Sequence, residues 1–342
     1  MTLAVMRAPP VDSSRIISPP QSLAKFLRRV WREQAEAHHK LAPHTVHGLR
    51  VALRRSRSLA EGYSTLDSHP DWRQLRKAAR RLQRGLAELR DAQVMARWVR
   101  RLGLTDGAAG AALAASLRRD GRNARRRARS ALADFPRKRW KRWRRCLPQR
   151  AARFATGPAS FAAPALQRAA DAAALERRWR KAGSRIAAHR LRIAVKRFRY
   201  TVESFLPEQY AAWERDLKHM QDCLGEIHDF DVLRGRIVQL AKKESLSRKR
   251  LHTWMGRIDS ARKQRVECYR KAVSVNAKAA KRGKRAPVLW DRWRQEIELL
   301  STINLPTINP PKYEGASESA ARAVGLPAET ISAYRGRRLP PS

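Results

Sequence analysis

Apolar residues recur at helical spacing along most of the chain. Leu23, Phe26, Leu27, Val30 and Trp31 follow one another in alternating steps of three and one. Comparable patterns run through 44–62, 71–101, 110–133 and 137–146. Pro and Gly punctuate 148–164, and the pattern restarts near Pro164: Leu166 to Lys181, then 189–199, Tyr210 to Leu240, Leu251 to Val273 and Val288 to Leu300. No stretch has the alternating, β-branched pattern of a strand. The expectation is an all-α protein with four or five helices per half, each half an antiparallel bundle joined by short connections. Pro9, Pro10, Pro19 and Pro20 mark residues 1–19 as a flexible arm. From Asn304 the Pro-, Gly- and Ser-containing residues 304–342 read as a mobile tail with a short helix near Ser317 to Val324.

The patterned region, 20–303, repeats itself. His47-Gly-Leu-Arg-Val-Ala-Leu-Arg-Arg-Ser-Arg57 returns 142 positions later as His189-Arg-Leu-Arg-Ile-Ala-Val-Lys-Arg-Phe-Arg199. Leu86-x-Glu88-Leu89-x-Asp91-x-x-Val94 returns as Leu224-x-Glu226-Ile227-x-Asp229-x-x-Val232, offset by 138. Trp140-x-x-Trp143-Arg returns as Trp290-x-x-Trp293-Arg, offset by 150. Several motifs in one order at near-constant offset read as an internal duplication, with halves 20–157 and 164–303 that are pseudo-symmetric and enclose a basic cleft.

At about 100° per residue, His47, Arg50, Arg54 and Arg57 share an arc of roughly 80°, as do His189, Arg192, Lys196 and Arg199. Arg55 and Arg197 fall outside it. Each basic arc adjoins the apolar one instead of opposing it, as expected for side chains lining a groove between helices. Like charges on adjoining turns repel, by some tenths of a kcal/mol per pair, and phosphates would offset that cost. Arg80 and Lys218, in register just before the acidic motifs, are the next ligand candidates. Glu88 with Asp91, and Glu226 with Asp229, read mainly as partners that orient arginines, with metal ligation the less favoured use. The tryptophan pairs read as core.

Composition narrows the partner. The chain of 342 residues holds 75 Lys+Arg against 30 Asp+Glu, a formal charge of +45. A compact fold carries such self-repulsion more easily with a polyanion bound. Cys146, Cys223 and Cys268 stand far apart in sequence, which suggests neither disulfides nor a zinc knuckle and fits a reducing compartment. No apolar run reaches the roughly 18 residues of a membrane span, so the expectation is a cytoplasmic protein without membrane contact, cofactor or metal.

These motifs resemble the CHAD domain, the conserved histidine α-helical domain. Its hallmark is similar to His47 to Arg57 and His189 to Arg199, and its second motif to Leu224-Gly-Glu-Ile-His-Asp229-Phe-Asp-Val232, with a degenerate copy at Leu86 to Val94. The resemblance covers about residues 20 to 300. It implies two helical bundles around a basic channel that binds inorganic polyphosphate, often at polyphosphate granules, without catalysis. The basic ligands it implies are His47, Arg50, Arg54, Arg57, His189, Arg192, Lys196 and Arg199, with Arg80 and Lys218 as helpers. Gly85 is out of register with Gly225, and Ser56 is small where Phe198 is large. Glu296-Ile-Glu298-Leu299 lacks the lysine of the triphosphate-tunnel signature found in fused relatives. Nucleic-acid association is the alternative reading, and a metal-dependent phosphohydrolase using Glu88, Asp91, Glu226 and Asp229 is a third.

Overall fold

Helix boundaries fall where the sequence supplies caps. In the computed structural model, which describes residues 18–154, 159–243, 247–274 and 289–303, Pro19–His39 (α1) opens on a capping box between Ser18 and Gln21. Pro43–Leu66 (α2) and Pro70–Gly85 (α3) both place proline in the first turn, where its missing N–H leaves no hydrogen bond unmade. Ala87–Arg101 (α4), Gly107–Ala133 (α5) and Arg137–Ala152 (α6) complete the first half. The second contains Ala159–Ala182 (α7), Arg185–Phe205 (α8), Pro207–Lys243 (α9), Arg248–Val273 (α10) and Leu289–Ile303 (α11). Gly183, at φ +60°, ends α7, and the Ser184 hydroxyl then accepts the Ala187 N–H at 3.2 Å to start α8.

The described residues are all-helical, with no strand, as expected. Two details differ from the sequence reading. The single pattern over 71–101 is two helices, broken at Gly85–Leu86, so the described part of the first half has six helices where four or five were expected. A β-carbon at Gly85 would lie 2.2 Å from that of Ala131 on α5, so the close approach of α3 to α5 requires glycine there. Gly225, its nominal counterpart, has nothing within 4 Å and lies inside the unbroken, 37-residue α9. Pro148 and Pro164, read as linker punctuation, lie inside α6 and α7. The expected N-terminal arm and C-terminal tail fall almost wholly outside the described residues.

The buried side chains form three clusters. The first joins α1, α2, α3, the C-terminal part of α5, and α6 around Trp72, Trp140 and Trp143, and takes in Leu89 of α4, Phe161 of α7 and Phe205 of α8. The second joins α7, α8, the N-terminal part of α9, the end of α10, and α11 around Phe198, Trp213, Trp290 and Trp293. Some indole N–H groups inside these clusters find acceptors, Trp140 donating to the Leu27 carbonyl at 3.1 Å and Trp213 to Glu296 at 2.8 Å, whereas those of Trp143 and Trp293 are buried without a partner. The paired tryptophans are therefore core. A third cluster draws on both halves about equally: Val94, Met95 and Trp98 of α4 and Leu113 and Leu117 of α5 pack with Phe230 and Ile237 of α9 and Trp254 and Ile258 of α10.

Candidate anion-binding site

The two signature helices lie side by side. The Arg54 guanidinium sits 5.7 Å from the Tyr200 ring centre, Arg55 pairs with Glu203, and Gly62 abuts Phe205. Partner numbers rise together along both helices, so α2 and α8 run in the same sense. The contact is tight at its C-terminal end, where a β-carbon on Gly62 would fall 2.1 Å from the Phe205 Cζ. This crossing brings the repeated cations into one electrostatic neighbourhood.

Arg50, Arg54, Arg192 and Lys196 form its centre. Burial first, and Arg54 next, pull the Arg50 pKa down to about 10, with Asp91 opposing. Lys196 is driven well below the usual ammonium range by burial, then by Arg192 and Arg54. Burial also lowers Arg192, against the pull of Asp229. Low dielectric and like charge both disfavour the cationic forms here.

Pairing elsewhere accentuates the contrast. Arg127 is matched to Glu88, Arg150 to Asp67, Arg234 to Asp259 and Arg265 to Glu226. Among the described residues, Arg54, Arg192 and Lys196 make no hydrogen bond or ion pair, and the buried Nε atoms of Arg54 and Arg192 have no acceptor. Such groups are expensive to leave unmatched.

Asp91 and Asp229 are the carboxylates acting on this centre. Burial raises both pKa values; Arg50 and Arg192 oppose the rise at Asp91, while the Trp98 N–H, 3.3 Å from the Asp229 Oδ2, and Arg192 oppose it at Asp229. The acidic pairs thus divide: Glu88 pairs with Arg127 and Glu226 with Arg265, while each aspartate faces the cations. The arginines that the glutamates orient therefore lie on α5 and α10 and not on the signature helices, where the sequence reading placed them.

The histidines border the same region. His47 reaches solvent, yet it lies in a recess where burial, then Arg90, Arg54 and Arg50, depress its pKa to about 4. His189 and His228 place their Nδ1 atoms 3.3 Å apart, and His228 also falls to about 4, through burial and then Arg192. The His189 pKa is lowered by burial and Arg192.

Four predicted residues lie apart from this centre. Arg57 donates to the Gln83 Oε1 at 2.8 Å and neighbours Arg80, Arg76 and Arg84, while Arg50 holds the Gln83 backbone carbonyl at 2.6 Å. Arg57 and exposed Arg80 therefore make a satellite group at the end of α3. Arg199 is only 8% exposed and donates to the Tyr210 hydroxyl at 3.1 Å, so it ties α8 to α9. Lys218 is exposed and lines a separate cavity with Arg215, His219 and Asp222. Sequence reasoning missed Arg90 and His228. Their signal was present, since Arg90 and His228 directly precede the two motif aspartates.

All three cysteines are free thiols, but two that stand far apart in sequence meet in the fold. Packing of α9 against α10 brings Cys223 and Cys268 together, with their sulfurs 3.1 Å apart.

The family profile of the CHAD domain matches residues 21–238, the span that holds both copies of the basic stripe. The chain belongs to the CHAD domain family. Two solved structures share its fold. The CHAD domain from the plant Ricinus communis aligns with a TM-score of 0.54 and 24% identity, over 79% of this chain and 96% of its own. PptA from Streptomyces chartreusis aligns with a TM-score of 0.55 and 17% identity, over 74% and 97%. No curated protein matches significantly by sequence. No helix among the described residues of this CHAD protein is long and apolar enough to cross a membrane.

Proposed function

We propose that the protein binds inorganic polyphosphate at the cation centre between α2 and α8, without chemically altering it, and that it works in the cytoplasm at polyphosphate granules. The observation that carries this reading is the set of half-buried, unmatched cations Arg54, Arg192 and Lys196 beside Arg50. Membership of a family associated with polyphosphate supports it. A linear polyanion supplies closely spaced oxygens, and charge-assisted hydrogen bonds to them answer the unmet donors. Counterion release adds a salt-dependent driving force.

Competition in solution separates this reading from nucleic-acid association. Polyphosphate is expected to displace duplex DNA from the full chain at physiological salt. Easy displacement of polyphosphate by duplex DNA would reject the assignment.

Neutralising the inward carboxylates discriminates further. Asp91→Asn with Asp229→Asn is expected to tighten polyphosphate binding several-fold, since two opposing charges leave the centre. A phosphohydrolase would lose turnover in the same variant, so phosphate release with Mg²⁺ that disappears on substitution would overturn the binding-only reading.

Binding also couples to protons. The free-protein pKa values of His47 and His228 are about 4, and a bound polyanion moves them back toward the ordinary 6.5 or above. The complex then holds more protons than the free protein between those values. Affinity should rise as pH falls from about 7 toward 4 and level off below. An anion shifts Lys196, Asp91 and Asp229 in the same direction, so the sign is common to all five groups. Titrations across that range check it, and His47→Gln with His228→Gln should flatten the slope. A pH-independent affinity would contradict it.

A further inference from the structure

On α9, His219 and Cys223 are one helical turn apart and share a face. Cys268 of α10 meets them there. Its sulfur lies 3.3 Å from the His219 Nε2 and 3.1 Å from the Cys223 sulfur, and the Cys223 sulfur lies 4.0 Å from the same nitrogen. All three ligand atoms fall within 4.8 Å of one another. Cys223 is buried in the second core, Cys268 half-buried and His219 exposed. His219 also lines a cavity of about 490 Å³ with Arg215, Lys218 and Asp222.

These distances suit one chemistry. Tetrahedral Zn²⁺ binds sulfur at about 2.3 Å and imidazole nitrogen at about 2.0–2.1 Å, which sets ligands roughly 3.5–3.8 Å apart. The two sulfur–nitrogen distances bracket that range, and the sulfurs need to part by only some tenths of an ångström. Two sulfur donors and one imidazole favour a thiophilic ion over the oxygen-seeking Mg²⁺ or Ca²⁺.

We propose that His219, Cys223 and Cys268 form a Zn²⁺ site that staples α9 to α10, with its fourth position open to the adjoining cavity. Each thiol gives up its proton as its sulfur–zinc bond forms, so loading releases up to two protons. The site is independent of the polyphosphate assignment, since it uses none of the cations between α2 and α8.

The test is a Zn²⁺ titration of the reduced full chain against a competing chromogenic chelator. One ion per chain is expected, with a rise in thermal midpoint on loading. Cobalt substitution should give intense near-ultraviolet absorption from thiolate-to-metal charge transfer. Cys223→Ser with Cys268→Ser should abolish both signals. His219→Ala, at an exposed position that leaves the core intact, should weaken binding by about 100-fold or more, since even outer partners of metal ligands account for 10–100-fold. Cys146→Ser should retain the site. Absence of one-to-one binding, binding unaffected by the cysteine changes, or a Cys223–Cys268 disulfide in a chain that refuses zinc once reduced would each overturn the proposal.

Discussion

Replacing Arg50, Arg54, Arg192 and Lys196 together by alanine is expected to weaken polyphosphate binding by at least about 1,000-fold while the protein stays folded. Each charge-assisted contact contributes on the order of 1.5–3 kcal/mol, and 1,000-fold corresponds to about 4 kcal/mol, so the figure allows for strong non-additivity. The salt slope should also fall. Single-stranded polyanions lose about 0.7 in log affinity per log salt for each charge neutralised, so four cations account for about three. Arg54, Arg192 and Lys196 have no ion-pair partner to abandon, and their removal relieves repulsion. Arg50 gives up one hydrogen bond, to the Gln83 carbonyl. Filter retention or calorimetry across a salt series, beside a circular dichroism melt, measures both quantities. Arg55→Ala serves as the contrast, because Arg55 is committed to Glu203 and the Phe26 ring. It should lower stability and leave affinity within a few-fold. Unchanged retention by a folded quadruple variant would remove the site from the centre between α2 and α8.

Trp98→Ala is expected to destabilise the protein by about 3–5 kcal/mol, the usual cost of emptying a large aromatic site. Trp98 is 3% exposed and lies 4.5 Å from Phe230, centroid to centroid, inside the core that joins the halves. Its N–H also steadies Asp229. Trp98→Phe separates the two roles: most of the packing survives, the donor is lost, and Asp229 becomes easier to protonate. The net positive charge of the centre then rises, so this variant should bind polyphosphate slightly more tightly than the parent. Chemical denaturation of both variants decides the first point, and a wild-type midpoint for Trp98→Ala would refute it.

Local periodicity made most of the helices readable, because the apolar faces of α1, α2, α8 and α9 are laid down in steps of three and four. It also set the tryptophan pairs in the core. What it could not supply was the partner of each face. The need for glycine at position 85 is set by Ala131, 46 positions later, and no local pattern encodes that approach. The helical wheel gathered eight basic residues into two stripes, but the rotation of each side chain depends on distant acceptors. Tyr210 captures Arg199, and Gln83 captures Arg57, leaving Arg50, Arg54, Arg192 and Lys196 together. Cys223 and Cys268 are separated by 45 residues of chain and a helix reversal, which concealed their meeting.

The mixed core around Trp98, Phe230 and Trp254 separates two ideas that the repeated sequence invites one to merge. A stretch can be a unit of repetition without being a unit of folding. Cut near residue 157, the first fragment would present Val94, Met95 and Trp98 to water, and the second Phe230, Ile237 and Trp254. Each would be an adhesive surface seeking the other, so the smallest self-sufficient piece of this architecture contains both stretches of chain.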